Sequence, residues 1–363
     1  MLTRMTRGLL RVLVVAALAA ATTGSAIGTA TARDTVTASG PTPVIYDADM
    51  DVDDTSTLAY LCQADKDGRV DLLAVTIDNN GFGTPGRALT HAHTVLNDCG
   101  LPWVPVADGS NTIVHAAPQD AMQTVETVLT GALGDGSVTT PAPSLTAPEL
   151  IEAAAASSPR KVTILTTGPQ SNLAAALHDS SSTSGNWLAD RIRGLYVMGG
   201  AINVPGNLFG SALTGFDNSQ ELNMWLDPVA ARTVFDTMHP GVTHLIPLDA
   251  TNSVSITPAF IAKLGADQQT VSAHLVDSIM TQPAMTAGID AGIFYWWDAL
   301  AALSAFQNEA GMTQFDPETV DVVLDGPESG RTELASTGAP IGVALSANQA
   351  VFEQTFLDAL NGR

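Results

Sequence analysis

Basic residues are scarce in this 363-residue chain: 15 Lys and Arg stand against 37 Asp and Glu, a formal net charge of −22. A field of that sign repels phosphate, which excludes nucleic acid and anionic membrane surfaces as partners. Cysteine is nearly absent, with only Cys62 and Cys99. None lies near the end of the N-terminal apolar run, which excludes a lipidated leader, and neither suggests a catalytic thiol. Both fall on apolar helix faces, so a disulfide and two buried thiols stand as equal readings. The apolar run VLVVAALAAA (12–21) is too short to span a bilayer comfortably. No G-x-S-x-G elbow occurs, so the usual serine hydrolase arrangement has no support. The seven histidines are scattered, and His91 and His93 point to different faces of one helix.

What is present is a globular composition, 45% apolar and 14% charged, in a chain long enough for a large core. MLTRMTRGLLR, the apolar run and the small residues up to Ala32 have the order of an export signal. The expected organisation is a cleavable signal peptide over 1–32, a polar leader over 33–42 and one domain over 43–363. The expected destination is secreted, without stable membrane association. Beyond the leader, strand-length apolar runs alternate with helical patterns. PVIY (43–46) precedes a helix near 53–65, VDLLAVTI (70–77) one near 86–98, and KVTILTT (161–167) precedes SNLAAAL. RGLYVMGG (193–200) and THLIPLD (243–249) read as further strands, with helices at 227–235, near 257–280 and at 297–307. VDVVLD and GVALS read as two late strands before a last helix over 347–361. Residues 131–148 and 179–186 read as Ser/Thr/Gly/Pro-rich loops. Continuous apolar strands in this alternation predict an open, mostly parallel β-sheet flanked by helices, a Rossmann-like α/β fold in a single domain.

In such sheets ligands gather beyond the carboxyl ends of the strands. DADMDVDD follows the first strand, DNNG the second and TTGPQSN the third, which makes one candidate site of three motifs. Five carboxylates within the eight residues Asp47–Asp54 suit a hard divalent cation such as Ca²⁺ or Mg²⁺. An EF-hand is excluded, because counting from Asp47 or Asp49 puts no Gly at loop position 6 and no Glu at position 12. The competing reading makes Asp53 or Asp54 a helix N-cap and Asp51 a solvated turn residue. GFGTPG (81–86) matches a dinucleotide fingerprint, but it sits in the second strand–helix unit, carries Pro85 and is accounted for by turn glycines.

With these motifs in hand, the chain resembles the calcium-dependent, inosine–uridine-preferring nucleoside hydrolases. The resemblance rests on DADMDVDD (47–54), TGPQSN (167–172), MGGA (198–201), ELNMWLDP (221–228) and WDAL (297–300), in that order. It implies Ca²⁺ held by Asp49, Asp54, the Thr167 carbonyl and Asp298. Asp53, Asn80, Asn207, Glu221 and Asn223 would bind the ribose of a small nucleoside substrate, with Asn79 an alternative to Asn80. Asp49 would also take the proton from a metal-activated water that attacks the N-glycosidic carbon. Asp47 would support the site from behind. Two positions depart from the family pattern. Met50-Asp51 replaces Pro-Gly, so the turn must differ, and the sequence suggests no role for Asp51. Trp297 stands where purine/pyrimidine-preferring members carry a histidine, leaving base stacking or solvent to assist the leaving group, or core packing to explain the YWW run. Two other functions stay open: a non-catalytic or very slow Ca²⁺-dependent ribose-binding protein, and a haloacid-dehalogenase-like phosphatase suggested by VIYDAD. Whether the chain forms a homo-oligomer is not legible.

Overall fold

The strand that leads into the acidic cluster is buried along nearly its whole length, and the sheet is built outward from it. A computed structural model of the chain describes residues 40–109, 114–135, 144–208, 215–338 and 340–363. The expected signal peptide and most of the leader lie outside the described residues. β1 (Thr42–Ala48) pairs in parallel with β2 (Val70–Ile77) on one side and β4 (Val162–Thr166) on the other. β3 (Val106–Asp108), β5 (Ile192–Met198), β6 (Thr243–Ile246), β7 (Thr313–Glu318) and β10 (Ile341–Ala347) complete an eight-stranded sheet in the order β3-β2-β1-β4-β5-β6-β10-β7. Only β7 runs antiparallel, at the edge. β8 (Val320–Val322) and β9 (Thr332–Leu334) form a separate antiparallel pair.

Side chains on successive strand residues point to opposite faces. On β1, Val44, Tyr46 and Ala48 enter one apolar layer and Ile45 enters the other, each layer roofed by helices. Burial on both faces explains why these strands read as unbroken apolar runs. Strand order reverses between β1 and β4, where the crossovers leave the sheet in opposite directions. Such a switch point opens a crevice at the carboxyl ends of the two strands. Asp47–Asp54 and Thr167 lie at that crevice.

Several local expectations are corrected. Residues 179–186 are largely helical rather than loop, because the helix Ser171–Ser184 continues through them. Ser180, Ser181 and Ser182 donate their hydroxyls to carbonyls three or four residues back, so the serines are absorbed by the helix rather than breaking it. The expected loop at 131–148 is entered by the helices Gln119–Leu133 and Ala147–Ser157, with 136–143 outside the described residues. VDVVLD supplies β8 and does not join the main sheet. Its place at the edge is taken by TQFDPE (313–318), whose Pro317 is tolerable only on an edge strand. Cys62 and Cys99 are buried free thiols, and Cys99 Sγ lies 3.7 Å from Ser272 Oγ.

Candidate active site

The acidic cluster is organised by the start of the helix Val52–Lys66. Met50 takes a left-handed backbone, φ 56°, which proline could not adopt, so the turn does differ from a Pro-Gly turn. Asp51, not Asp53 or Asp54, is the N-cap. Its Oδ1 accepts from the N–H groups of Asp53 (3.0 Å) and Asp54 (3.4 Å), while Asp54 Oδ2 accepts from the Asp51 N–H at 3.1 Å. This reciprocal capping box places Asp53 and Asp54 in the first helical turn, where exposed N–H groups favour negative charge.

Around this turn the fold gathers side chains from distant segments. Asp54 is fully buried, and its Oδ1 accepts from the Tyr46 phenol at 2.9 Å and from the Thr167 hydroxyl. Asp49 lies past the end of β1 and accepts the Phe82 N–H. Three glycines let backbone close around it: a Cβ on Gly81 would fall 1.8 Å from Asp49 Oδ2, one on Gly83 1.9 Å from the Asp49 carbonyl, and one on Gly168 2.8 Å from the Asp49 N. Close approach to Asp49 therefore accounts for Gly81 and Gly83, while Gly86, at φ 77°, is a turn glycine. Asp47 points to the rear, accepting from Thr76 Oγ1 (2.5 Å) and Asn172 Nδ2 (2.9 Å), as expected of a supporting residue. Asp298 opens the helix Trp297–Phe306, which packs against the helix Val52–Lys66.

A cavity of about 350 Å³ unites most of these groups. One part of its wall is polar: Asp49, Asp51, Asp53, Thr167, Asn207, Glu221, Asn223 and Asp298. The rest includes Val52, Phe82, Val125, Met198, Met285, Ile293, Phe294 and Trp297. Glu221 caps the short helix Leu222–Leu226 and accepts N–H bonds from Gly200 (3.0 Å), Asn223 (3.0 Å) and Met224 (3.1 Å). Asn223 Nδ2 donates to the Thr167 carbonyl at 2.7 Å, and Asn207 Oδ1 accepts the Leu222 N–H at 2.8 Å. The YWW run divides its work. Trp296 packs in the core against Phe260, Phe352 and Phe356, whereas Trp297 lines the cavity beside Phe294. Asn79 and Asn80 stand apart from that wall. Asn80 Nδ2 donates to Ser171 Oγ at 2.8 Å, and Ser171 in turn donates to Asp227 Oδ2 at 2.7 Å. Asn79 Nδ2 reaches the Gly109 carbonyl at 3.5 Å. A more open depression beside Met312 and Ala347 is lined by no ionisable side chain and offers no chemistry.

Burial holds the Asp49, Asp51 and Asp298 carboxyls well above the usual range, with Asp54 adding next at Asp49 and Asp53 next at Asp51 and Asp298. Burial also raises Asp53 and Glu221, and pushes Asp47 up to about 6. Among the described residues, none of these carboxylates forms an ion pair with Lys or Arg. Two overlapping trios, Asp49/Asp51/Asp54 and Asp51/Asp53/Asp298, each bring one oxygen per residue within 4.8 Å of the others. An all-oxygen donor set with uncompensated charge fits a hard divalent cation and does not fit a thiolate- or imidazole-seeking metal. Sequence reasoning missed Tyr46, hidden inside an apolar strand, and the part of Asp51 in both trios.

Comparison with known proteins agrees with this geometry. The family model described as inosine-uridine preferring nucleoside hydrolase matches residues 44–354. A pyrimidine-specific ribonucleoside hydrolase, RihA, of Salmonella enteritidis is 28% identical over 246 residues, covering 66% of this chain and 71% of that protein. The inosine-uridine preferring nucleoside hydrolase of Bacillus anthracis shares the fold, with a TM-score of 0.73 at 24% identity, covering 89% of this chain and 100% of that one. A plant nucleoside hydrolase, PpNRh1, superposes with a TM-score of 0.72 at 19% identity, covering 88% and 99%. The chain belongs to the inosine-uridine preferring nucleoside hydrolase family and is a glycosidase of the kind that cleaves the N-glycosidic bond of ribonucleosides.

Proposed function

We propose that this chain hydrolyses ribonucleosides to free base and ribose in the cavity described above, with Ca²⁺ as cofactor and Asp49 as general base. The observation that carries the reading is the mixed lining of the cavity: carboxylates and amides suited to a polyhydroxylated sugar, together with apolar and aromatic side chains suited to a base. Asp49, Asp54, Asp298 and the Thr167 carbonyl would hold the cation. When bound, such an ion lowers the pKa of a water and offsets the crowded carboxylates.

The remaining work falls to the protein's own groups. The Asp49 carboxylate, fixed by the Phe82 N–H and closely approached by Gly81, accepts the proton of the attacking water. Asp53, Glu221, Asn223 and Asn207 bind ribose hydroxyls and hold the anomeric carbon toward that water. The carboxylates favour the positive charge that develops on the sugar as the bond to the base breaks. Asn80 acts from behind, through Ser171, to fix the loop that carries Phe82. Trp297, with Phe82 and Phe294, offers an apolar seat for the departing base.

A reducing-sugar assay over a panel of ribonucleosides, with and without a calcium chelator, tests the reading. Ribose release that the chelator abolishes supports it, and Asp49→Asn should lose turnover while retaining nucleoside binding. Absence of release from every nucleoside would sink the enzymatic proposal; chelator-insensitive release would sink the metal. One observation favours a slower, binding-type function: no histidine lines the cavity among the described residues, so no imidazole is placed to protonate the base. Calcium-dependent nucleoside binding without ribose release would select that alternative. For the N-terminus, the basic, apolar and small-residue order supports cleavage after residue 32, a polar leader over 33–42, a catalytic domain over 43–363 and secretion. Sequencing the N-terminus of protein recovered from the medium tests this.

A further inference from the structure

Asp51 is the residue common to both carboxylate trios, and it lies on the cavity wall beside Asp49 and Asp53. The family pattern has glycine at this position. Capping does not explain the charge. The cap uses Asp51 Oδ1 to accept the Asp53 and Asp54 N–H groups, and a neutral asparagine side chain does this as well as aspartate, with glycine close behind. A fifth carboxylate placed among Asp49, Asp53, Asp54 and Asp298 adds repulsion that capping cannot offset, unless a cation takes it into its coordination shell. Hard cations of calcium's size accept six to eight oxygens, and their affinity rises with the number of charged ligands.

We propose that Asp51 is a direct ligand of the metal centre, joining the Asp49/Asp54 pair to the Asp53/Asp298 pair and giving this chain one carboxylate ligand beyond the family pattern. The inference rests on reading the cluster as a metal site. It extends that reading to a residue whose retention as aspartate the fold does not require.

Terbium(III) is the probe, because Trp297 on the same wall can sensitise its luminescence and Ca²⁺ can compete it off. Asp51→Asn keeps the cap and removes the charge. It is expected to bind Ca²⁺ roughly ten- to a hundredfold more weakly in competition. Luminescence lifetimes in H₂O and D₂O should show about one more water on its bound terbium than in the wild type, since a lost ligand is replaced by solvent. Asp51→Gly, also compatible with the cap, should behave in the same way and guards against misfolding of either variant, checked by circular dichroism. Unchanged Ca²⁺ affinity in both variants overturns the proposal. So does weaker affinity with an unchanged hydration number, which would mean that Asp51 acts only as a charge at a distance. A wild-type protein that binds neither ion removes the metal reading itself, a failure distinct from the other two.

Discussion

Tyr46→Phe deletes a single oxygen atom from the middle of the site. The phenol is fully buried, donates to Asp54 Oδ1 at 2.9 Å, and lies 3.0 Å from Thr167 Oγ1. Burial, followed by the charges of Asp54 and Asp298, holds its pKa well above the usual value, so it remains a donor across the working range of pH. Without it, Asp54 keeps the Thr167 hydroxyl and the Asp51 N–H. One hydrogen bond to a charged acceptor contributes about 1.5–3 kcal/mol, and the shape change is too small for a large cavity penalty. Since each kcal/mol shifts Tm by about 2–4 °C in domains of moderate size, the metal-free variant should melt roughly 3–12 °C lower. If Asp54 holds the cation, loss of the group that orients it should also weaken Ca²⁺ binding roughly ten- to a hundredfold. Scanning calorimetry without calcium and titration calorimetry with it read the two effects separately. A lowered Tm with unchanged Ca²⁺ affinity would refute the orienting role; no change in either would refute the hydrogen-bond argument altogether.

Gly81→Ala should cost at least about a hundredfold in kcat/KM with circular dichroism retained, because its Cβ would meet Asp49 Oδ2 at 1.8 Å and must displace Asp49, the proposed base. Activity near wild type would show that Asp49 has room to spare and is not held by that glycine. Trp297→Ala should lose a few-fold to about tenfold in kcat/KM, the scale of one aromatic contact, and Trp297→His should add a new limb to the pH profile near the imidazole pKa. A Trp297→Ala enzyme with unaltered kinetics would remove the stacking role. Burial lowers the pKa of His91, His93, His115 and His244, so the unfolded chain takes up protons before the native one does. Their contribution to stability is present above about pH 6.5 and is lost as pH falls toward their native values. In an NMR titration of the native protein these four imidazoles should therefore take up protons below the free-histidine value of about 6.5, and titration at or above it would contradict the assignment.

What the chain discloses before folding depends on how local the cause is. β1, β2 and β4 were legible because burial on both faces imposes unbroken apolar runs, and the crevice followed from their order. Asp49, Asp53, Glu221, Asn223 and Asp298, which the resemblance picks out from short ordered blocks, line one cavity, and Asp54 joins Asp49 in a carboxylate trio. Tyr46 was not legible, since an aromatic residue inside a strand reads as core until the fold brings Asp54 and Thr167 to its hydroxyl. Asn80 was placed by resemblance at the sugar, yet its amide is directed at Ser171, a contact across 91 positions of sequence that no local pattern could signal. The Ser-rich stretch after Ser171 looked like a loop because serine competes for backbone bonds. Here the hydroxyls of Ser180, Ser181 and Ser182 donate to carbonyls of the preceding turn.

The glycines of GFGTPG show why motif and mechanism must be separated. Their spacing fits a loop that would cradle a dinucleotide phosphate, yet Gly81 approaches the carboxylate and Gly83 the backbone carbonyl of Asp49 in the same chain. Gly81 and Gly83, in the loop after β2, and Gly168, in the loop after β4, bring backbone against Asp49, which follows β1. With Gly81 against its carboxylate and the Phe82 N–H bonded to it, that side chain is restrained from swinging away from its neighbours to relieve their repulsion. The same restraint would hold Asp49 in place for the role of base proposed above. Crowding of the carboxylates and fixing of Asp49 are two consequences of one packing arrangement, which is why a single methyl group at Gly81 is expected to affect both.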